Sequence, residues 1–480
     1  MRLELETRRF WLFAGAQALV WTLLPTLVFR NLPLDTIEGL VWGHGWPLGT
    51  YKHPPLQAWL LEGAALLGGR SDTAIYALSG GALLLTYWAL WRLGRHMLEP
   101  AKALMGVFVL SSCFYFTAAM PELNPNVVQL PLFALCGLFF WQAYCWNRWR
   151  DWVGLGVCAG LGLLAKYSFV LLLLSFPLFL FFEPAARRLL ALPGTWLSLS
   201  LAALIFLPHF FWLVSNNWLP FTYAQSRLVP AESVLELAGY LAQFAVTQLL
   251  VVSPMVLLVW LARRDEPPLY GEGRRYLDVI AWAPFAVTLV SIMLAGGKPR
   301  DMWGMALWPF LGLWLAVRWF PTWEASVWVR NLLRAAWVII PLCVIGGALY
   351  SVPYGFRPWR ANFPGHELAQ LGDSLWQSEA QGEPLRVIIS DTWYGGNVAW
   401  YGRDRPQIMV EGNPFISSWT APEVIYEFGA LVVWDPRNGR EAVPDWALQY
   451  GQPVVTILPK LTVGAETVPF GLAVIGPRRR

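Results

Sequence analysis

The sequence predicts a multi-pass α-helical membrane protein with a small soluble α/β domain at its C-terminal end. Three observations carry this prediction. Hydrophobic residues make up 56% of the 480 and charged residues only 14%, with 30 Trp and 27 Phe. A soluble chain of this length needs a far more charged surface. Apolar stretches long enough to span a bilayer recur from Phe10 onward, given the roughly 17–25 apolar residues that a spanning helix needs. After residue 350 the pattern changes to short apolar runs separated by Gly, Pro, Asp and Asn, which reads as strands alternating with helices.

The first span is expected over Phe10 to Phe29, and no A-x-A cleavage pattern follows it. Further spans are expected to start near residues 73, 101, 127, 151, 167, 195, 238, 276, 303 and 332, about eleven in all. The fifth is short, and Lys166-Tyr167 separates it from the sixth, so these form either two spans or one bent unit. Pro54 to Gly69 is apolar but bounded by Pro-Pro and Gly-Gly and interrupted by Glu62. It reads as a helix lying along the membrane surface.

Basic residues set the orientation. Arg2, Arg8 and Arg9, then Arg92, Arg95 and Lys102, Arg148 and Arg150, Arg187 and Arg188, Arg263 to Arg275, and Arg318, Arg330 and Arg334 alternate with the spans. The positive-inside rule places them and the N-terminus in the cytoplasm. Loops 31–72, 117–126, 215–236 and 296–302, the Lys166 turn and the tail after Tyr350 then face outward. In the tail, Arg386 to Ser390, Gln407 to Val410, Ala430 to Trp434 and Val454 to Leu458 read as strands, and His366 to Ala380 as a helix. The expected division is 1–350 for the membrane domain, with 31–72 as its catalytic first outward loop, and 351–480 for an extracytoplasmic α/β domain. A segment of that size can bury its own core.

Charge and cysteine usage narrow the function. The net charge is +4 with no basic run interleaved with aromatics, so no nucleic-acid partner is expected. Cys113, Cys136, Cys145, Cys158 and Cys343 all fall in apolar stretches and read as core residues. No His or carboxylate set has metal-ligand spacing, so no cofactor is indicated and a divalent metal is not supported.

Asp35 and Glu38 stand just past the first span, three residues apart, and on a helical turn share a face. Carboxylates at a membrane boundary are costly unless they have a task. One can act as general base on a hydroxyl or amine while the other orients it; equally, Asp35 can cap a short helix. Tyr51, Lys52 and His53 precede Pro54-Pro55, which fix the backbone. A cation held there can bind phosphate as a point charge or snorkel to lipid headgroups. Glu122, Asn124 and Asn126 either line a polar cavity or make a turn between spans. Lys166 with Tyr167, Arg227 near Tyr223, and Lys298 with Arg300 complete an outward cationic set. Such a set suits an anionic headgroup from which a neutral group is transferred. In the tail, Trp393, Tyr394, Asn397 and Tyr401 either stack on sugar faces or fill the core.

The runs LDTIEGLVWG, KHPPLQAWL, LNPNVVQLPLFAL, GLGLLAKYSFVLLL, FLPHFFWLVSNNWLPFTYA, MWGMALWPF and DTWYGGNVAWYGRDRPQIMVEGNP resemble glycosyltransferase family 39. That group includes dolichyl-phosphate-mannose protein mannosyltransferases and is related to the lipid A aminoarabinose transferase. The resemblance spans most of the chain in order. It implies the GT-C fold and a polyprenyl-phosphate-linked sugar donor used on the non-cytoplasmic face of the inner membrane. The acceptor would be a glycolipid, a glycan or a protein. It further implies that Asp35 is the catalytic carboxylate and that the basic residue before Pro-Pro contacts the donor phosphate. Two positions depart from the family pattern. Thr36 stands where relatives often have Glu, leaving Glu38 as second carboxylate, and His53 rather than Lys52 directly precedes the prolines. Two rival readings are a lipid-linked sugar flippase and a non-catalytic assembly subunit. Against transport, the spans show no clear inverted repeat and charges avoid their midpoints.

Overall fold

The computed structural model describes residues 2–262, 272–319, 360–380, 382–437, 439–463 and 466–477, with scattered positions between 331 and 345. The chain forms two compact units. One comprises Met1–Leu23, Lys52–Leu56 and Tyr76–Cys343; the other comprises Leu24–Tyr51, Gln57–Ile75 and Val344–Arg480. Most of the expected outward loop 31–72 therefore folds with the C-terminal sheet.

In the first unit, helices long and apolar enough to cross a membrane include Pro125–Trp146, Pro193–Ser215, Val234–Trp260 and Gly273–Ala295. With Glu4–Val28 and Asp72–Met97 these make six among the described residues, or seven if Phe169–Phe182 and Pro184–Ala191, bent by 115°, form one span. The expected eleven are not reached among the described residues, for local reasons. The helix Pro100–Phe108 runs into 3-10 turns at Val109–Ser112 and Phe114–Phe116. There the Ser111 and Ser112 hydroxyls donate to carbonyls three residues back, each at 2.7 Å, competing with the helical ladder. Trp149–Ala165 has 17 residues and ends where Lys166 turns extended at φ −163°, ψ 140°, so the fifth and sixth stretches are separate helices. Near 303 a 3-10 helix, Asp301–Leu307, precedes Leu311–Trp319. The span expected from 332 lies largely outside the described residues.

Trp149–Ala165 packs between Pro125–Trp146 and Pro193–Ser215. Phe140, Phe176, Phe179 and Tyr276 form an aromatic core, with the Phe140 and Phe176 rings stacked at 4.5 Å. Leu204, Phe211, Leu250 and Leu257 are exposed. Only a lipid environment covers so many apolar side chains on helices whose backbone groups are internally bonded.

The second unit carries strands β1 (Val387–Ser390), β2 (Gln407–Val410), β3 (Ala430–Trp434), β4 (Pro453–Ile457), β5 (Lys460–Val463), β6 (Glu466–Pro469) and β7 (Gly471–Ile475). The main sheet has the order β2-β1-β3-β7-β4, and β5-β6 is a separate hairpin. β1 is parallel to β2 and β3, while β7 is antiparallel to both neighbours. The four expected strands match β1 to β4 within a residue or so; β1, β2 and β3 are buried along nearly their whole length and leave continuous apolar runs, while β4 alternates between half-buried and exposed residues. The expected tail helix is Gly365–Glu379. β5, β6 and β7 were not expected from the sequence.

Two helices of the 31–72 stretch complete this unit: Leu34–Gly43 and Leu56–Leu67. Glu62 on the latter is buried and bonded to both Arg405 guanidinium nitrogens, with the His44 ring 3.7 Å away. Burial works to raise its carboxyl, but hydrogen bonds from His44 and Arg405 and the Arg405 charge hold it below its ordinary value. A depressed carboxyl contributes stability above its unfolded pKa and loses it as pH falls through the folded value. Removing one partner of a buried pair leaves the other charge uncompensated, whereas an apolar pair of similar volume does not. Glu62→Ala is therefore expected to lower unfolding stability by about 3 kcal/mol or more. The double change Glu62→Leu with Arg405→Met should restore most of it, read as thermal midpoints in detergent.

Candidate active site

Asp35 and Glu38 lie on the helix Leu34–Gly43, which Pro33 precedes and which places Asp35 in its first turn. A carboxylate there is favoured by the helix dipole. Asp35 is half-buried, and its backbone carbonyl accepts a hydrogen bond from Gln57 Nε2 at 2.9 Å. Glu38 is only 7% exposed, so its charge depends on protein partners. One is Thr392, whose hydroxyl donates to Glu38 Oε1 at 3.1 Å.

The helix is clamped from two sides. A Cβ on Gly43 would lie 2.4 Å from the Ala58 carbonyl oxygen, so only glycine lets Leu56–Leu67 come this close. A Cβ on Gly396, in the helix Tyr394–Tyr401, would lie 2.6 Å from Ile37 Cγ2 and 2.9 Å from Val41 Cγ2. Arg70 donates to the carbonyls of Trp400 and Gly402, each at 2.7 Å, and Asp72 accepts from Trp400 Nε1 and the Tyr401 hydroxyl at 2.8 and 3.0 Å. Tyr51 packs its ring edgewise against Trp42 at 6.0 Å. Tyr401 also accepts from the Leu32 N–H, and Asn397 bonds the Trp393 carbonyl within its own helix. These two tail residues thus serve packing.

In the first unit, Lys166, His53 and Lys52 form a polar cluster. Lys166 Nζ donates to Asn126 Oδ1 at 2.6 Å, and Lys52 lies 5.3 Å over the Tyr223 ring. Burial first, then the charges of Lys166 and Lys52, push His53 down to about 3. Its imidazole is therefore neutral at ordinary pH, beside two cations. Asn124 is a helix cap: its Oδ1 accepts from the N–H groups of Asn126 and Val127 at 2.9 and 3.1 Å. The Tyr167 hydroxyl bonds His209 Nε2 at 3.0 Å. Glu122 is half-buried.

The other three cations belong to a neighbouring loop pair. Lys298 lies 5.6 Å over the Tyr240 ring, and its N–H bonds the Val229 carbonyl beside the Pro230–Gly297 bridge. Arg227 and Arg300 are exposed, at the end of Leu219–Ser226 and before Asp301–Leu307 respectively. Among the described residues, no group of three or more His, Cys, Asp or Glu is arranged to hold a metal. Thr392 and Arg405 escaped the sequence reading, since only the fold brings either to the 31–72 helices.

Comparison with known proteins agrees with this architecture. Residues 52–212 match the family model of dolichyl-phosphate-mannose-protein mannosyltransferases. The lipopolysaccharide core galacturonosyltransferases RgtA and RgtB of Rhizobium johnstonii are each 24% identical to this chain, over 84% and 86% of it and 82% and 85% of their own lengths. The crystal structure of ArnT from Cupriavidus metallidurans bound to undecaprenyl phosphate aligns with a TM-score of 0.61 at 12% identity, covering 96% of this chain and 97% of that one. Its apo form gives 0.60 at 13% identity, covering 98% of each. The fold is that of the GT-C membrane glycosyltransferases. Within that class, this chain is a glycosyltransferase similar to family 39.

His53 gives a test of the cluster's field. A base depressed on folding binds fewer protons than the unfolded chain between about pH 3 and its ordinary 6.5, so stability falls as pH drops through that window. His53→Gln should flatten this part of the decline in unfolding midpoint and leave the midpoint above pH 7 unchanged.

Proposed function

We propose that this enzyme transfers a sugar from a polyprenyl-phosphate-linked donor to a glycolipid acceptor of the lipopolysaccharide-core kind. The reaction takes place on the non-cytoplasmic face of the inner membrane, with the N-terminus in the cytoplasm and the α/β domain outside. The observation that carries the donor class is the pair of held ammonium groups beside His53: Lys166, bonded to Asn126 at 2.6 Å, and Lys52, over the Tyr223 ring. Two ammonium groups and an imidazole suit a phosphate monoester or diester. The undecaprenyl phosphate bound to the ArnT structure and the acceptor named for the two galacturonosyltransferases support the same reading.

In this mechanism the Asp35 carboxylate takes the proton of an acceptor hydroxyl or amine as that atom attacks the anomeric carbon. The bond from that carbon to the phosphate oxygen breaks, and the lipid phosphate leaves with the electron pair. Lys52 and Lys166 stabilise the charge on the leaving oxygens, where fixed cations lower the barrier most. Arg227, Lys298 and Arg300 raise the local concentration of the anionic donor. Glu38 orients the acceptor, and Asn126 holds Lys166 in place.

Purified protein with a radiolabelled polyprenyl-phosphate sugar, galacturonosyl among those tried, is expected to release or transfer the sugar. Asp35→Asn should lower the rate by 100-fold or more, on the order expected for loss of a general base, with donor binding kept. Lys52→Met and Lys166→Met should weaken donor binding. Full activity of Asp35→Asn, or unaltered donor binding in both lysine variants, contradicts the assignment.

A further inference from the structure

We propose that Thr392, on the turn leaving β1 of the α/β domain, is a positioning residue for Glu38. This rests on the reading of Asp35 and Glu38 as the reaction's carboxylates, and it assigns the C-terminal domain a part in the chemistry.

The contact spans 354 residues of sequence, yet both ends are fixed. On one side, Glu38 sits on a helix held by the close approaches at Gly43 and Gly396. On the other, Asp391 Oδ1 accepts the N–H groups of Trp393 and Tyr394 at 2.7 and 2.8 Å, which sets the turn and starts the helix Tyr394–Tyr401. The Tyr394 hydroxyl then donates to Asp435 at 3.2 Å, and Arg437 Nε bonds Asp435 at 2.8 Å. Asp391 and Asp435 directly follow β1 and β3. The turn is thus braced across the carboxyl ends of two adjacent parallel strands. β2 and β3 lie on opposite sides of β1, so this is where the strand order switches direction, the customary functional edge of such sheets.

A hydroxyl on so rigid a turn holds Glu38 Oε1 in place and so fixes the direction of the carboxylate. Side chains that position reacting groups work best when rigid elements lock their rotamers. A displacement of about 1 Å can reduce turnover by roughly 100-fold.

The test compares Thr392→Val, Thr392→Ala and Thr392→Ser in the full-length protein, with kcat and donor KM measured separately. The valine and alanine variants are expected to lose roughly 10- to 100-fold in kcat with donor KM within about twofold of the parent; the fold-range applies to whichever of the two folds. Thr392→Ser keeps the hydroxyl and should restore turnover to near the parent value. Unchanged kcat in a folded valine or alanine variant overturns the proposal. So does a serine variant as impaired as alanine, because packing rather than the hydrogen bond would then be at work. Asp35→Asn and Glu38→Gln run alongside separate the two readings. If both are fully active, the carboxylate assignment fails. If both are inactive while Thr392→Val is normal, only the role of Thr392 fails.

Discussion

The close seating of the helix Leu34–Gly43 inside the C-terminal α/β unit is the constraint on which the rest depends. Without side chains at Gly43 and Gly396, the neighbouring helices approach until a Cβ would overlap the Ala58 carbonyl or the Ile37 methyl. Interiors packed this densely transmit displacement rather than absorb it. The helix that carries Asp35 and Glu38 is therefore part of a folded core. That placement gives a fixed geometry to two carboxylates that on a surface loop would have none.

Each unit has its own set of charged groups. In the α/β unit, hydrogen bonds and the Arg405 ion pair keep the buried Glu62 charged. The membrane unit supplies amines: Lys166 bonded to Asn126, Lys52 over Tyr223, both acting on His53.

Much of this was legible in the sequence, for identifiable reasons. The runs that became β1 to β3 are apolar on both faces, so their pattern survives without tertiary information. Asp35, Glu38, Lys52 and Lys166 stand out because charge is rare in so apolar a chain. β5, β6 and β7 were missed because Lys460–Val463 and Glu466–Pro469 mix polar with apolar residues and Gly471–Ile475 follows them with little turn signal between. The eleven expected spans are not reached among the described residues, in part because hydropathy does not register side-chain hydroxyls that pull Ser111 and Ser112 into 3-10 turns. Glu62 looked like a flaw in an apolar helix, and only the fold brings Arg405 to it. The union of 31–72 with the C-terminal sheet leaves no local trace, since its contacts join residues more than 300 positions apart.

The most direct test of this account is Gly396→Val, measured for sugar transfer and for donor-lipid binding on the same preparation. Side-chain atoms at 396 must push Ile37 and Val41, and with them the helix that carries both carboxylates, while the lysine cluster lies in the other unit. The account predicts a large loss of turnover with donor binding retained. Turnover equal to the parent protein, with the variant folded, would contradict it.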